Sequence, residues 1–320
     1  MNREPVKLRR RANPASMPAW VQQIETWRSL LVECGSKQTR KRVHLLRVST
    51  LRIQAQVELW LECNGSDHPA AWVARRWNKH AKQLRKSLGA VRAFDVHLVQ
   101  TGELRGLLTA PSGYEPRSSR LSLRQVDDLE RYCKRERKRA AGELVAALAT
   151  RHHRIEGATQ DLAGNLNPQP LLSLLTPEHL ETRFRQMVLA LPTIDVDSLH
   201  ELRKQLKSVR YLAELIQFEP RAREFAATVK SMQGAIGRWH DLEELSEEAA
   251  HALRKRPIEG GLSEVLQTMT NESLESAIAT CQSIIGEFAL SPEDAISILP
   301  MKKSAGRATA SGADQHALSA

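Results

Sequence analysis

Apolar residues return along this chain at intervals of three and four, the signature of helices with one buried side. Trp20, Ile24, Trp27, Leu30 and Leu31 begin the pattern, and Cys34-Gly35-Ser36 interrupts it. A second helix is predicted from about 38 to 63, with Leu46, Ile53, Val57 and Trp60 on one side and Asn64-Gly65-Ser66 as its end. A third starts after Pro69 and carries Trp72, Val73, Trp77, Leu84, Leu88 and Val91. Leu98, Leu104, Leu107 and Leu108 predict a short separate helix before the Pro111-Ser112-Gly113 turn. Ser122 to about Ala163 is among the longest helical stretches, with Gly142 and Gly157 marking a bend or a division into two helices. Residues 165–170 read as an interior linker near the midpoint, and helices are predicted beyond it over 177–191, 197–218, 221–254 and 262–288. Strand-type alternation persists nowhere, so the fold class is all-α, built of antiparallel bundles. Residues 1–18, with Pro5, Pro14 and Pro18 among Arg and Lys, read as a flexible basic arm, and residues 301–320 as a disordered tail.

The polar sides of these helices are unusually one-signed. At about 100° per residue, Arg203, Lys204, Lys207 and Tyr211 fall within about 60° of His200, whereas Leu202, Leu206, Val209, Ala213 and Ile216 lie opposite. A solvated helix normally interleaves Glu with Lys to gain i,i+4 pairs. Here the cations stand together, which costs stability unless an anion meets them. Lys79, Arg85 and Lys86 cluster in the same way about Lys82, opposite Leu84, Leu88 and Val91.

Two landmarks then recur. His44 and Arg47 align with His200 and Arg203 at an offset of 156, and Lys82, Gly89, Arg92 and Asp95 align with Lys230, Gly237, His240 and Glu243 at an offset of 148. The order and near-equal offset predict a duplicated unit, with halves over 19–166 and 171–290, packed about a pseudo-twofold axis. A basic cleft between the halves is the expected consequence. The Lys230 helix is the poorest of the four in charge, with Arg238 and His240 as its other basic members.

These motifs resemble those of the CHAD family, the conserved histidine α-helical domain. The resemblance rests on His44-Leu45-Leu46-Arg47 with Arg52, and on His200-Glu201-Leu202-Arg203 with Lys204, Lys207 and Arg210. Each is followed by a second segment, Val91-Arg92-Ala93-Phe94-Asp95 and Trp239-His240-Asp241-Leu242. It covers roughly Trp20 to Phe288. What it implies is a protein that binds inorganic polyphosphate through basic helix faces, often on polyphosphate granules in the cytoplasm. The resemblance and the basic helix faces together give as candidate binding residues His44, Arg47, Arg52, Lys79, Lys82, Arg85, Lys86, Arg92, His200, Arg203, Lys204, Lys207, Arg210, Tyr211, Lys230, Arg238 and His240. Leu51 and Gln54 stand where the family usually carries basic residues, and Ala93 where it carries an acid, so the first half is expected to bind more weakly.

Composition agrees and narrows the chemistry. Lys+Arg number 47 against 37 Asp+Glu, a formal charge of +10, which favours polyanions without choosing among polyphosphate, nucleic acid and anionic lipid. Aromatic content of 4% argues against a base-stacking surface of the kind single-strand binders use. Cys34, Cys63, Cys133 and Cys281 form no C-x-x-C pair, which points to a reducing compartment, and no apolar run is long enough to span a membrane. No signal-peptide core, Walker loop, HExxH or Ser/His/Asp order is visible, so neither a cofactor nor an enzymatic activity is expected. His152-His153 with Glu156 has ligand spacing but no third partner, and the Arg131–Arg139 run fits a solvated helix better than an outer phosphate patch. Asp95 and Asp241 are expected to orient a neighbouring Arg or His, or to cap a helix. A nucleic-acid binder is the alternative reading, and a metal-dependent phosphohydrolase a more distant one.

Overall fold

The computed structural model describes residues 19–109, 116–191, 194–254 and 261–288. The basic arm, the Pro111-Ser112-Gly113 turn and the C-terminal tail lie outside these residues. The described residues form helices α1 (Ala19–Ser36), α2 (Arg40–Asn64), α3 (Ala71–Thr109), α4 (Pro116–Asn165), α5 (Gln169–Leu174), α6 (Pro177–Leu189), α7 (Val196–Leu215), α8 (Pro220–Ala252) and α9 (Gly261–Phe288). No strand occurs among them, and no helix is long and apolar enough to cross a membrane.

Local chemistry sets the ends that matter. Thr39 caps α2, its hydroxyl accepting from Arg42 N at 3.2 Å, and Gly65 closes the helix at φ 80°, donating to Leu61 O. A left-handed residue there needs glycine. Asp195 and Ser198 form a reciprocal capping box that starts α7 one turn before His200.

Two expectations are corrected. The stretch around Leu98 and Leu104 is not a separate helix, because α3 runs unbroken to Thr109. Phe94 and Leu104 are buried with Val126 and Leu129 of α4 and Leu242 and Leu245 of α8, and that packing carries the helix through. Gly142 and Gly157 do not divide α4, which continues for 50 residues. An interior helical glycine costs only about 1 kcal/mol, which packing along so long a helix offsets.

Three buried clusters result. The first joins α1 to α4 around Trp27 and Trp77, whose indoles meet edge to face at 6.3 Å and donate to Thr50 and Thr159. The second joins α5 to α9 and takes in Ala55 and Leu59 of α2. The third ties the distal part of α3 and the near part of α4 to α8 and α9. So α2 carries apolar residues on two sides. Leu46, Ile53 and Trp60 face the first cluster, while Val48, Leu51, Ala55 and Leu59 meet the second, against α7. Leu51 is apolar because it sits at that junction.

Candidate polyanion-binding site

The junction of α2 with α7 and of α3 with α8 gathers cations from both parts of the sequence. Arg47 lies at its centre. Its Nη1 donates to Arg85 O at 3.2 Å, and a Cβ at Gly89 would stand 3.4 Å from the same nitrogen. Arg203 repeats the relation, with its Nε 4.0 Å from a Cβ placed at Gly237. In each case glycine lets the helix backbone run close under a guanidinium.

The electrostatics show how tightly the group is drawn. Burial, then Arg85, Arg203 and Arg92, hold Arg47 below the ordinary arginine value, with Tyr211 opposing. Arg85 is lowered by burial against the opposing pull of Glu58 and Tyr211. Burial and the charges of Arg203, Arg47 and Arg85 bring Lys207 down to about 7, with Asp241 opposing. His44, exposed at the rim, is lowered by partial burial and by Arg92, Arg40, Arg47 and Arg210. Among the described residues no carboxylate reaches ion-pair distance of Arg47, Arg85, Arg92 or Lys207, and the nearest to Arg203 is Asp241 at 3.6 Å. Charge is concentrated here, and Asp241 offsets it only in part.

The other residues singled out in the sequence are placed differently. Arg52 is held by Glu214 at 2.8 Å. Arg210 bonds Gln233, pairs with Glu214 at 3.3 Å, and lies 4.5 Å over the Tyr211 ring. Tyr211 itself is only 4% exposed and belongs to the second core cluster. Its wheel angle put it among the cations, but that side of α7 is partly covered by α2. Lys204 pairs with Glu201 at the surface, and Arg238 with Glu103. Lys82, Lys86 and Lys230 are exposed, while Lys79 lies near His80, which burial lowers first and Arg76, Lys79, Arg154 and Arg151 lower further.

His200 and His240 form the second centre. Their rings meet edge to face at 4.9 Å, and His200 also lies 4.9 Å from the buried Trp239 ring. Glu243 Oε2 is 3.4 Å from His200 Nε2 and 3.7 Å from His240 Nδ1, and Glu244 Oε1 is 3.3 Å from His240 Nε2. Despite these carboxylates, burial and the cations Arg203, His200 and Lys207 push His240 down to about 4, so its ring is neutral near pH 7. Asp241 is raised by burial, against the pull of Arg203 and Arg92, and Glu244 by burial and by Asp241.

Sequence reasoning passed over Arg40, Trp239, Glu243 and Glu244 as site residues. Spacing could have found three of them, since Arg40 precedes His44 by one turn and the two glutamates follow His240 at i+3 and i+4. Asp95 does orient an arginine. It is buried and pairs with Arg137 at 2.6 Å, which also donates to Gln38 O. Arg131, Lys134 and Arg139 pair with Asp128, Glu130 and Glu136 on their own helix, the behaviour of a solvated face. Glu156 is taken by Arg28 at 2.9 Å, leaving His152 and His153 without it.

The family model of the CHAD domain matches residues 19–256. The chain belongs to the CHAD domain family. The matched CHAD region takes in α1 to α8, so α9 lies beyond it. Among solved structures, the CHAD domain from the plant Ricinus communis superposes with a TM-score of 0.57 at 18% identity, covering 87% of this chain and 91% of that one. PptA from Streptomyces chartreusis does so with a TM-score of 0.54 at 18% identity, covering 84% and 95%. At such identity these neighbours speak for the CHAD fold alone. No curated protein matches the chain.

Proposed function

We propose that this CHAD protein binds inorganic polyphosphate at the junction of α2, α3, α7 and α8, without catalysis, and that it associates with polyphosphate granules. The two halves of the site descend from one duplicated unit, each giving a histidine, an arginine over a glycine, and further cations. Arg47, Arg85, Arg92, Arg203 and Lys207 make the ionic contacts, with His44 and His200 at the ends of the group. One observation carries this reading: Arg47, Arg85, Arg92 and Lys207 have no carboxylate at ion-pair distance among the described residues, and burial together with the charges of Arg203, Arg47 and Arg85 brings Lys207 down to about 7. A flexible chain of phosphates, with repeated charge and no bases to read, is the ligand such a group fits. Guanidinium forks and an ammonium satisfy its oxygens.

The test is a titration with long-chain polyphosphate at about 150 mM salt, near physiological ionic strength. Substituting Arg47, Arg85 and Arg203 together by Ala should weaken binding by at least about a hundredfold, since each charge-assisted contact is worth about 1.5–3 kcal/mol. Substituting the exposed Lys82, Lys86 and Lys230 by Ala removes the same formal charge and should cost far less. Equal losses in the two variants would mean that net charge, not this group, does the binding.

A further inference from the structure

Glu214 stands where α2 meets α7 and takes two guanidiniums out of the cationic group. Its Oε2 accepts from Arg52 Nε at 3.0 Å and from Arg52 Nη2 at 2.8 Å, across the helix junction. Its Oε1 lies 3.3 Å from Arg210 Nε, one turn earlier on α7. A carboxylate set between two guanidiniums fills the place that a phosphate, with its several oxygens, would take. This edge is continuous with the group. Burial raises the Tyr211 phenol, and Arg210, Glu214, Arg47 and Arg52 all act on it. Burial also lowers His44, with Arg92, Arg40, Arg47 and Arg210 adding to the effect.

Two further observations set this edge apart. Donors there outnumber acceptors: Arg210 Nε and Gln233 Nε2 are buried and make no hydrogen bond, although Gln233 Oε1 accepts from Arg210. Gln233 is only 8% exposed, so water does not make up the loss. One carboxylate thus part-fills a place that could take more acceptor oxygens. The duplication supplies the second observation. At the offset of 156 that relates His44 to His200, Glu58 aligns with Glu214, Gln54 with Arg210, and Arg52 with Ser208. Gln54 donates to Glu58 at 2.6 Å, the counterpart of the Arg210 contact. The glutamate recurs in both halves, but its two arginines do not, because Gln54 and Ser208 stand in their places.

We propose that Glu214 is a resident anion that ends the phosphate path at this edge, holding Arg52 and Arg210 back from the chain. The site proper is then Arg47, Arg85, Arg92, Arg203 and Lys207, and Glu214 sets how many consecutive phosphates it engages. This role rests on the polyphosphate reading and adds to it the residue that fixes the length of the site. Arg52 is 44% exposed, so its pair with Glu214 is screened and contributes little to stability. Neutralising the carboxylate therefore leaves the fold intact and sets two guanidinium forks free.

Salt dependence tests this, because its slope counts phosphate contacts. Untagged full-length protein is titrated with long-chain polyphosphate between about 50 and 200 mM salt, with helical content checked by circular dichroism. Glu62→Gln serves as the charge-matched control, since Glu62 pairs with Arg183 at 2.7 Å between α2 and α6. Glu214→Gln should bind more tightly than wild type, with a slope steeper by about 1.4, two contacts at about 0.7 each. Glu62→Gln should keep the wild-type slope. Arg52→Ala should cost less than about twofold in the wild type, where Arg52 is already paired and exposed. In the Glu214→Gln background the same substitution should cost about fivefold or more, the worth of one modest charge-assisted contact. A Glu214→Gln slope equal to that of Glu62→Gln, or an Arg52→Ala cost equal in both backgrounds, overturns the role of Glu214 while a steep wild-type slope still upholds the polyphosphate site. A wild-type slope near zero overturns both.

Discussion

Lys207 gives the sharpest handle on the cationic group. In the free protein, burial and the charges of Arg203, Arg47 and Arg85 bring its ammonium down to about 7. A phosphate chain beside it would favour the charged form, so its pKa rises on binding and complex formation takes up a proton above that pH. The charged fraction falls about twentyfold between about pH 7.5 and about pH 9.0. Affinity should follow it down, to a floor set by one ammonium–phosphate contact, about 1.5–3 kcal/mol or roughly ten- to a hundredfold. His44 and His240, both lowered, are neutral across this window and do not contribute. Lys207→Arg stays charged and should bind with a nearly flat profile, whereas Lys207→Met should be weak and flat. Calorimetry at fixed ionic strength, in buffers of different ionisation enthalpy, yields both the affinity and the proton count. A wild-type affinity constant over the window, or an Lys207→Arg profile as steep as wild type, would refute the reasoning.

If the five cations of the group meet phosphate, the logarithm of the binding constant should fall with the logarithm of salt at a slope of about −3.5, using about −0.7 per phosphate for a single strand, and a slope near zero would exclude the site. His97 is 2% exposed, both its ring nitrogens lack partners, and burial lowers it to about 4. Its unfolded form takes a proton first, so stability should drop as pH falls from about 6.5 toward 4, by up to about 3 kcal/mol, and urea melts of His97→Leu should lose that dependence. Thr50→Val leaves the buried Trp27 indole N–H without its 2.9 Å acceptor and should cost about 1–3 kcal/mol, read as a lower urea midpoint with an unchanged slope.

Much of the frame is legible in the sequence because each helix has a continuous apolar side and clear ends. The stop at Gly65 is written in short-range chemistry, and so is the capping box at Asp195, which apolar periodicity alone does not pick out. The continuity of α3 past Leu98 is not, because it depends on Leu242 and Leu245 of α8, which are close to Leu104 only after folding. Site residues divide along the same line. Arg47, Arg203 and Lys207 could be picked out by helical angle and repeat. The same wheel included Tyr211 and Lys230, since an angle says which side of a helix a residue occupies and not what covers that side. Arg52 follows the His44–Arg47 motif on the same helix, but Glu214, far away in the chain, holds it. Pairing across helices is the information that a single helix cannot carry.

The central claim is that the junction of α2, α3, α7 and α8 is a polyphosphate site and not a general sink for polyanions. Competition tests it most directly: protein saturated with labelled single-stranded DNA is challenged with long-chain polyphosphate, and the reverse, at equal phosphate concentration and about 150 mM salt. Polyphosphate should displace the DNA, and DNA should fail to displace polyphosphate. DNA displacing polyphosphate, or the two exchanging evenly, would contradict it.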